Sequence, residues 1–157
     1  MVLCCCGPLL AHAQPQAPMA LAQQVDRLER LLSQPDTLKE DLRSRSLARI
    51  KASPYWVAIL RMDYVGGNGT TNYVGIFREE KTEHTGFGYT LMGVNIIPSW
   101  IQVGRLPAVV TRSGKSEVVE IEAYISITAD DPKDHGKRTK LRYRLPGPDE
   151  WGITFAK

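Results

Sequence analysis

The chain has 157 residues, a length that fits one folded domain with a short appendage. Hydrophobic residues make up 43% and charged residues 24%, ordinary values for a globular domain that exclude a chain disordered throughout. A net charge of +3 is too small to indicate nucleic-acid binding by itself. Thirteen glycines and ten prolines favour a strand-rich fold over a helical bundle.

Residues 1–13 have the features of the end of a secretory signal peptide. An apolar run begins at Val2, is too short to span a bilayer, and leads into Ala11-His12-Ala13, a pattern typical of a cleavage site. Because no Lys or Arg precedes the run, we expect that the true start codon lies upstream. A polar, proline-rich tether follows at 14–19. This pattern predicts a periplasmic or secreted protein.

Three adjacent cysteines, Cys4, Cys5 and Cys6, lie before the expected cleavage site, so the mature chain would have no thiol. A chain without thiols suits an oxidising compartment. Three consecutive side chains cannot converge on one ion, and a disulfide between neighbours is strained, so we expect neither a metal site nor a disulfide here. The alternative is palmitoylation of the cluster, which would anchor the chain to a membrane.

Residues 20–52 are predicted to form two helices that are separated near Pro35. In the first helix, apolar residues recur at four-three-four spacing and form a narrow seam on one face. The seam consists of Leu21, Val25, Leu28 and Leu32. Because an apolar seam needs a partner, we expect it to cover a sheet of the same chain or to project and bind another protein.

The second predicted helix begins at Ser33, which would act as its N-cap with an acidic residue three positions later. Its apolar face would comprise Leu38, Leu42 and Ile50, with Leu47 near the edge. Acidic residues come early in this segment and basic residues late, an order that complements the helix dipole. Ser53-Pro54 would end the helix.

The remainder, residues 53–157, is predicted to be an antiparallel β domain of about six or seven strands. The strands are Tyr55–Tyr64, Asn72–Arg78, Gly86–Ile97, Leu106–Arg112, Glu117–Thr128, Arg138–Leu145 and an edge strand at Trp151–Phe155. Glycines within Gly86–Ile97 predict a bulge in that strand. The predicted fold is therefore α+β, with two N-terminal helices and a curled antiparallel sheet. The alternative is a small β-sandwich or barrel with projecting helices.

A basic strip on one predicted strand is the best candidate for a binding surface. It comprises Lys140, Arg142 and Arg144, which alternate with apolar residues, together with Lys137 and Arg138 beside them. Three cations on one strand face would suit an acidic protein partner, a phosphate backbone or a glycan polymer. The alternative is pairing across the hairpin, in a register that places Tyr124 opposite Arg144 and Ser126 opposite Arg142.

Few residues indicate catalysis. His84 and His135 each lie near carboxylates, and such a pair would provide the acid and base of a small hydrolase. Nothing in their spacing forces these groups together, and no serine lies in a nucleophile elbow. The sequence Ser113-Gly114-Lys115-Ser116 lacks the spacing of a phosphate-binding loop and predicts a hairpin turn. We therefore assign no catalytic residue, metal ligand or cofactor.

These features predict an exported, non-enzymatic binding or assembly protein, such as an accessory subunit of a bacterial envelope or secretion machine. A periplasmic inhibitor or immunity protein is one alternative, the small hydrolase is a second, and a nucleic-acid or membrane-surface binder is a third. We expect a protein partner that buries the seam and complements the charge of the basic strip. Neither a transmembrane segment nor nucleic-acid binding is expected.

Overall fold

The computed structural model of the chain describes residues 17–33, 38–40, 45–64, 69–83, 86–113, 116–127, 129–147, 150 and 152–156. Within these residues one α-helix, α1 (Met19–Leu32), precedes nine strands. The strands are β1 (Leu38–Glu40), β2 (Ser46–Arg49), β3 (Tyr55–Tyr64), β4 (Thr70–Thr82), β5 (Gly86–Ile97), β6 (Ile101–Ser113), β7 (Ser116–Ile125), β8 (Arg138–Arg144) and β9 (Thr154–Phe155). The α+β class and the antiparallel sheet are confirmed.

The strands form two curled sheets, each with only antiparallel neighbours. Sheet A has the order β1-β3-β4-β5, and β2 pairs with β3 further along the same strand. Sheet B has the order β6-β7-β8-β9. The predicted single sheet is therefore divided in two, because the chain changes sheets between β5 and β6 instead of continuing the ladder.

Strand β3 is buried on both of its faces. The run from Tyr55 to Leu60 is apolar without interruption, and every side chain in it is buried. Such continuous runs are typical of strands covered on both sides, because alternate residues point to opposite faces. Tyr55, Val57 and Ile59 face sheet B, whereas Trp56, Ala58 and Leu60 face α1.

The main core lies between the two sheets. Sheet A contributes Tyr55, Val57, Ile59, Val74, Ile76 and Ile97, and sheet B contributes Ile101, Val119, Ile121, Ala123, Leu141 and Tyr143. From Val119 to Ala123 of β7, and along β8, the buried residues alternate with polar ones, as the sequence pattern predicted; Val118 is buried as well. The alternation leaves the other face of sheet B to solvent.

Helix α1 covers the outer face of sheet A. The predicted seam residues Leu21, Val25 and Leu28 are buried there and pack with Trp56, Leu60 and Phe77, among others. Full burial of a Leu or Val side chain stabilises the fold by about 1.5–3 kcal/mol, so these contacts hold the helix in place. A partner reaches the seam only if α1 leaves the sheet.

The predicted second helix is wrong. Ser33 ends α1 instead of starting a helix, since both its backbone N–H and its hydroxyl donate to the carbonyl of Glu29. The following segment supplies β1 and β2, with Leu47 opposite Ala58 of β3; Leu42 lies outside the described residues. Strands β1 and β2 pair with the edge of β3 that does not face β4. Without them, the backbone groups along that edge would have no hydrogen-bond partners.

The predicted strands agree with the structure to different extents. The bounds of β3 and β5 are as predicted, and the predicted bulge in β5 is confirmed, because Gly93 pairs with Ile76 while Leu91 pairs with Phe77. Strands β4 and β6 are longer than predicted, and β7 and β9 are shorter. Ser113 pairs with Ser116, as the predicted hairpin requires.

Several predictions concern residues outside the described ranges. These are the signal peptide, the cysteine cluster Cys4, Cys5 and Cys6, and His84. Among the described residues, no helix has the length and apolar character needed to cross a membrane.

A buried ion pair connects α1 to the start of β2. Glu29 is only 2% exposed, and its carboxylate lies 3.2 Å from the guanidinium of Arg45, which also binds Asp26 one turn earlier on the helix. Removing one member of a buried pair leaves the other charge poorly compensated in a medium of low polarity. The pair therefore fixes the orientation of α1 on sheet A.

We predict that Arg45→Met lowers the free energy of unfolding by about 3 kcal/mol, because it leaves the buried Glu29 carboxylate without this cation. The matched control is Arg78→Met, since Arg78 and Glu80 form an exposed pair whose loss costs less than about 1 kcal/mol. Urea unfolding followed by circular dichroism measures both. Equal losses in the two variants would contradict a buried role for the Glu29 pair.

Gly93 permits the C-terminal segment to pack on the inner face of β5. A Cβ atom at this position would lie 2.5 Å from the backbone nitrogen of Ile153 and 2.9 Å from Cα of Gly152. Both neighbours are backbone atoms, so neither can rotate away, and Ile153 is itself buried in the core. A side chain at 93 would displace the segment.

We predict that Gly93→Ala destabilises the fold by about 2 kcal/mol, as overpacking does elsewhere. Gly88→Ala in the same strand is the control, because its nearest neighbour is a side-chain methyl of Thr82 at 3.1 Å, which can move. The loss for the control should stay below about 1 kcal/mol. Thermal unfolding of both variants provides the comparison, and a fully stable Gly93→Ala would refute the packing of 152–153 on β5.

Candidate functional site

The outer face of sheet B is largely open to solvent in the described structure, although Val118 on this face is buried. Val109 of β6, Tyr124 of β7 and Lys140 of β8 project from this face and are exposed. The outer face of sheet A differs, because α1 covers it. The open face of sheet B carries the predicted basic strip.

The structure places four of the strip residues along β8, on one face of the strand, whereas Lys137 precedes the strand. Arg138, Lys140, Arg142 and Arg144 lie opposite Tyr124, Glu122, Glu120 and Val118 of β7. The predicted register is wrong, since Tyr124 faces Arg138 and not Arg144. Strand β7 ends at Ile125. The backbone N–H of Ser126 donates to the carbonyl of Trp100, so Ser126 does not pair with Arg142 of β8.

Much of the positive charge of the strip is compensated within the chain. Lys140 and Arg142 both bind the carboxylate of Glu120, at 2.9 and 3.0 Å. The hydrogen bond from Lys140, with support from Arg142, lowers the pKa of Glu120 although its partial burial acts in the opposite direction. Two further pairs, Arg144 with Glu150 and Lys137 with Asp134, flank this cluster. The cations of β8 therefore do pair with β7, and the residue of β7 that they bind is Glu120.

A shallow depression lies at one end of the strip. Its volume is about 180 Å³, and it is lined by Glu122, Ala123, Tyr124, Arg138, Thr139 and Lys140. Within the described part of the chain, Arg138 forms no ion pair, in contrast to the other strip cations. Half-exposed Trp100 lies two residues before Gln102, which pairs with Tyr124, and its carbonyl accepts a hydrogen bond from Ser126, two residues after Tyr124. Tyr, Trp and Arg are the residue types that contribute most to protein interfaces.

A second concavity opens between the two sheets, with a volume of about 320 Å³. Ile59, Ile97 and Ile101 lie at its apolar end, and Arg61 and Thr70 are among its polar lining residues. The Thr70 hydroxyl and Arg61 both donate to Asp63, which lowers the pKa of that carboxyl and compensates the arginine charge. Local sequence patterns could not predict this cleft, because its lining residues come from separate strands.

The histidine that the structure describes is held by its own loop. The ring of His135 hydrogen-bonds to the carbonyl of Ala129 at 3.1 Å, and the backbone N–H of Lys133 donates to Asp131 in the same loop. The neighbouring carboxylate of Asp134 binds Lys137. These contacts stabilise the connection between β7 and β8, and they do not assemble a nucleophile with a general base.

Sheet B is positioned by a hydrogen bond across the core. The hydroxyl of Tyr55 on β3 donates to the carboxylate of Glu117 at the start of β7, at 2.5 Å. Burial, together with this bond to a carboxylate, raises the pKa of Tyr55 to about 12. The bond connects the start of β7 to β3, the strand of sheet A that pairs on both edges.

Comparison with known proteins gives no match: no family model, curated protein or solved structure matches the chain.

We predict that Tyr55 makes the fold sensitive to alkaline pH. Its pKa is higher in the folded chain than the ordinary tyrosine value of 10.0, so its contribution to stability is intact below pH 10 and is lost as the pH rises toward 12. Tyr55→Phe should therefore show a shallower fall in stability over this range than the native chain. Urea unfolding at several alkaline pH values measures the difference.

Tyr124→Phe is the control for this experiment, because it removes the phenol of an exposed tyrosine. An unchanged alkaline profile for Tyr55→Phe would show that the Tyr55–Glu117 bond does not contribute to the stability of the fold.

Proposed function

We propose that the chain is an exported, non-enzymatic binding or assembly protein that contacts a protein partner through the outer face of sheet B. The observation that carries this proposal is the depression beside Tyr124, Arg138 and Lys140, on a sheet face that no described helix covers. Sheet faces that are both open and lined with aromatic and guanidinium groups are suited to protein recognition.

The chemistry of the depression favours an acidic segment of the partner. The guanidinium of Arg138 presents a fork of donors that matches a carboxylate, and Lys140 adds a second positive charge on the same side. Glu120 already holds Lys140 and Arg142, so among the described strip residues Arg138 is the cation that a partner can engage without breaking an internal ion pair. We therefore place the contact at the Arg138 end of the strip.

The seam residues Leu21, Val25 and Leu28 have a role within the fold. Because they hold α1 on sheet A, we place the partner on sheet B alone. The proposed mechanism is therefore docking by charge complementarity around an aromatic anchor, with Tyr124 as that anchor.

The proposed location is the periplasm or the exterior of the cell, on the basis of the apolar run and Ala11-His12-Ala13 in the sequence. Lipid anchoring through Cys4, Cys5 and Cys6 is the alternative. An accessory subunit of an envelope or secretion machine would use such a surface, and so would an inhibitor or immunity protein. The contacts of His135 do not favour the hydrolase alternative.

The proposal is tested by site-specific photo-crosslinking in the native host. A photoreactive amino acid at Tyr124 should give one discrete crosslinked product, and Arg138→Glu in the same chain should abolish it. The same photoreactive residue at Leu31, an 83% exposed position on α1, is the control. Equal products from both positions, or none from Tyr124, would contradict a contact surface on sheet B.

We predict that, with the captured partner purified, Arg138→Ala raises the Kd roughly thirtyfold, which corresponds to about 2 kcal/mol for a central arginine contact. Arg144→Ala should change the Kd less than threefold, because Arg144 binds Glu150 and does not line the depression. Calorimetric titration measures both variants, and a larger effect of Arg144→Ala would move the site along the strip.

A further inference from the structure

Strand β5 forms one edge of sheet A and is unusual in composition for an edge. It pairs with β4 on one side, and no other described strand pairs with it. Its twelve residues, Gly86–Ile97, contain no charged side chain, whereas β4 carries four consecutive charges from Arg78 to Lys81. Soluble proteins usually protect long edge strands with charges or prolines, because an open edge pairs readily with another chain.

Large apolar side chains are exposed along the same strand. Phe87 is 57% exposed, Leu91 41% and Ile96 53%. All three lie on the face that α1 packs against, since their partners on β4, Lys81, Phe77 and Tyr73, are four residues apart and therefore share that face. The bulge at Met92 makes this possible, because without it Leu91 and Ile96, five residues apart, would lie on opposite faces.

We propose that two copies of the chain associate through antiparallel pairing of their β5 strands. Antiparallel pairing of a strand with itself about a two-fold axis places Phe87 of one copy opposite Ile96 of the other, and Tyr89 opposite Val94. The bulge puts the members of each pair on the same face, so the apolar side chains of the two copies meet across the junction. The two copies of sheet A then form one continuous sheet, with both α1 helices on the same side.

A second copy suits this edge better than a charged partner does. The absence of charge from β5 means that no like charges meet when two identical strands pair, so self-association carries no repulsive cost at the junction. The pairing leaves the outer face of sheet B free. It is therefore independent of the proposed contact at Arg138, and either can fail without the other.

The test is the mass of the full chain in solution by light scattering after size exclusion, over a series of concentrations. We expect two chains per particle at high concentration. Phe87→Lys and Ile96→Lys should each shift the midpoint of dimer formation at least tenfold upward, because each places a lysine charge against an apolar side chain of the other copy, Ile96 or Phe87 respectively. The control is Val109→Lys, a substitution at a similarly exposed valine on the outer face of sheet B, which should leave the midpoint unchanged.

Hydrogen exchange keeps the test valid if a lysine variant unfolds. Backbone amides of β5 that point away from β4 should exchange more slowly in the native chain at high concentration than at low concentration. A chain that stays monomeric up to its solubility limit would overturn the proposal. So would a dimer that Val109→Lys dissociates while Phe87→Lys and Ile96→Lys do not.

Discussion

The burial of β3 on both faces is the constraint on which the rest of the structure depends. Six consecutive apolar residues cannot form a strand of an open sheet, because every second side chain would face water. The chain meets this requirement with sheet B on one side and α1 on the other. The layer order, helix then sheet A then sheet B, follows from this single strand.

Polar contacts between the layers fix how they are oriented. Arg45 holds the buried Glu29 of α1, and Tyr55 reaches Glu117 across the main core. Apolar packing alone tolerates several orientations, whereas a buried ion pair or hydrogen bond is satisfied in few of them. In contrast, the hydroxyl of Tyr143 is buried with no hydrogen-bond partner among the described residues, and its pKa is raised by that burial. Its cost, about 1–3 kcal/mol, is offset by the packing of its ring with Phe155 and the core.

The layer order also determines which surfaces remain for other molecules. Helix α1 uses its apolar seam internally, so the seam that indicated a partner in the sequence is part of the core. Among the described residues, most of the outer face of sheet B and the edge of β5 are left open, and they differ in chemistry. The first is charged and aromatic and suits an acidic protein partner; the second is uncharged and suits a second copy.

Local sequence patterns predicted the parts of the fold that depend on local contacts. The bounds of β3 and β5 and the amphipathic helix α1 follow from apolar runs, glycines and spacing along the chain. Patterns could not predict that residues after Ser33 pair with β3. Leucines at helical spacing also fit short strands, and the edge of β3 that these strands pair with is formed by residues later in the chain. Nor could they fix the register of β7 and β8. Moving Tyr124 from Arg144 to Arg138 shifts the pairing by an even number of residues, so every side chain keeps its face. The inter-sheet cleft and the Tyr55–Glu117 bond depend on the same long-range packing.

Thiol labelling under α1 tests most directly whether β3 is covered on its outer face. In a chain whose three cysteines are replaced by serine, Ala58→Cys places a thiol at a fully buried position beneath the helix. Leu31→Cys places one on the exposed side of α1. We expect the thiol at 58 to react with a water-soluble maleimide only when urea unfolds the chain, while the thiol at 31 reacts at once. Reaction at 58 as fast as at 31 in the native chain would show that α1 does not cover sheet A, and the layer order described above would be wrong.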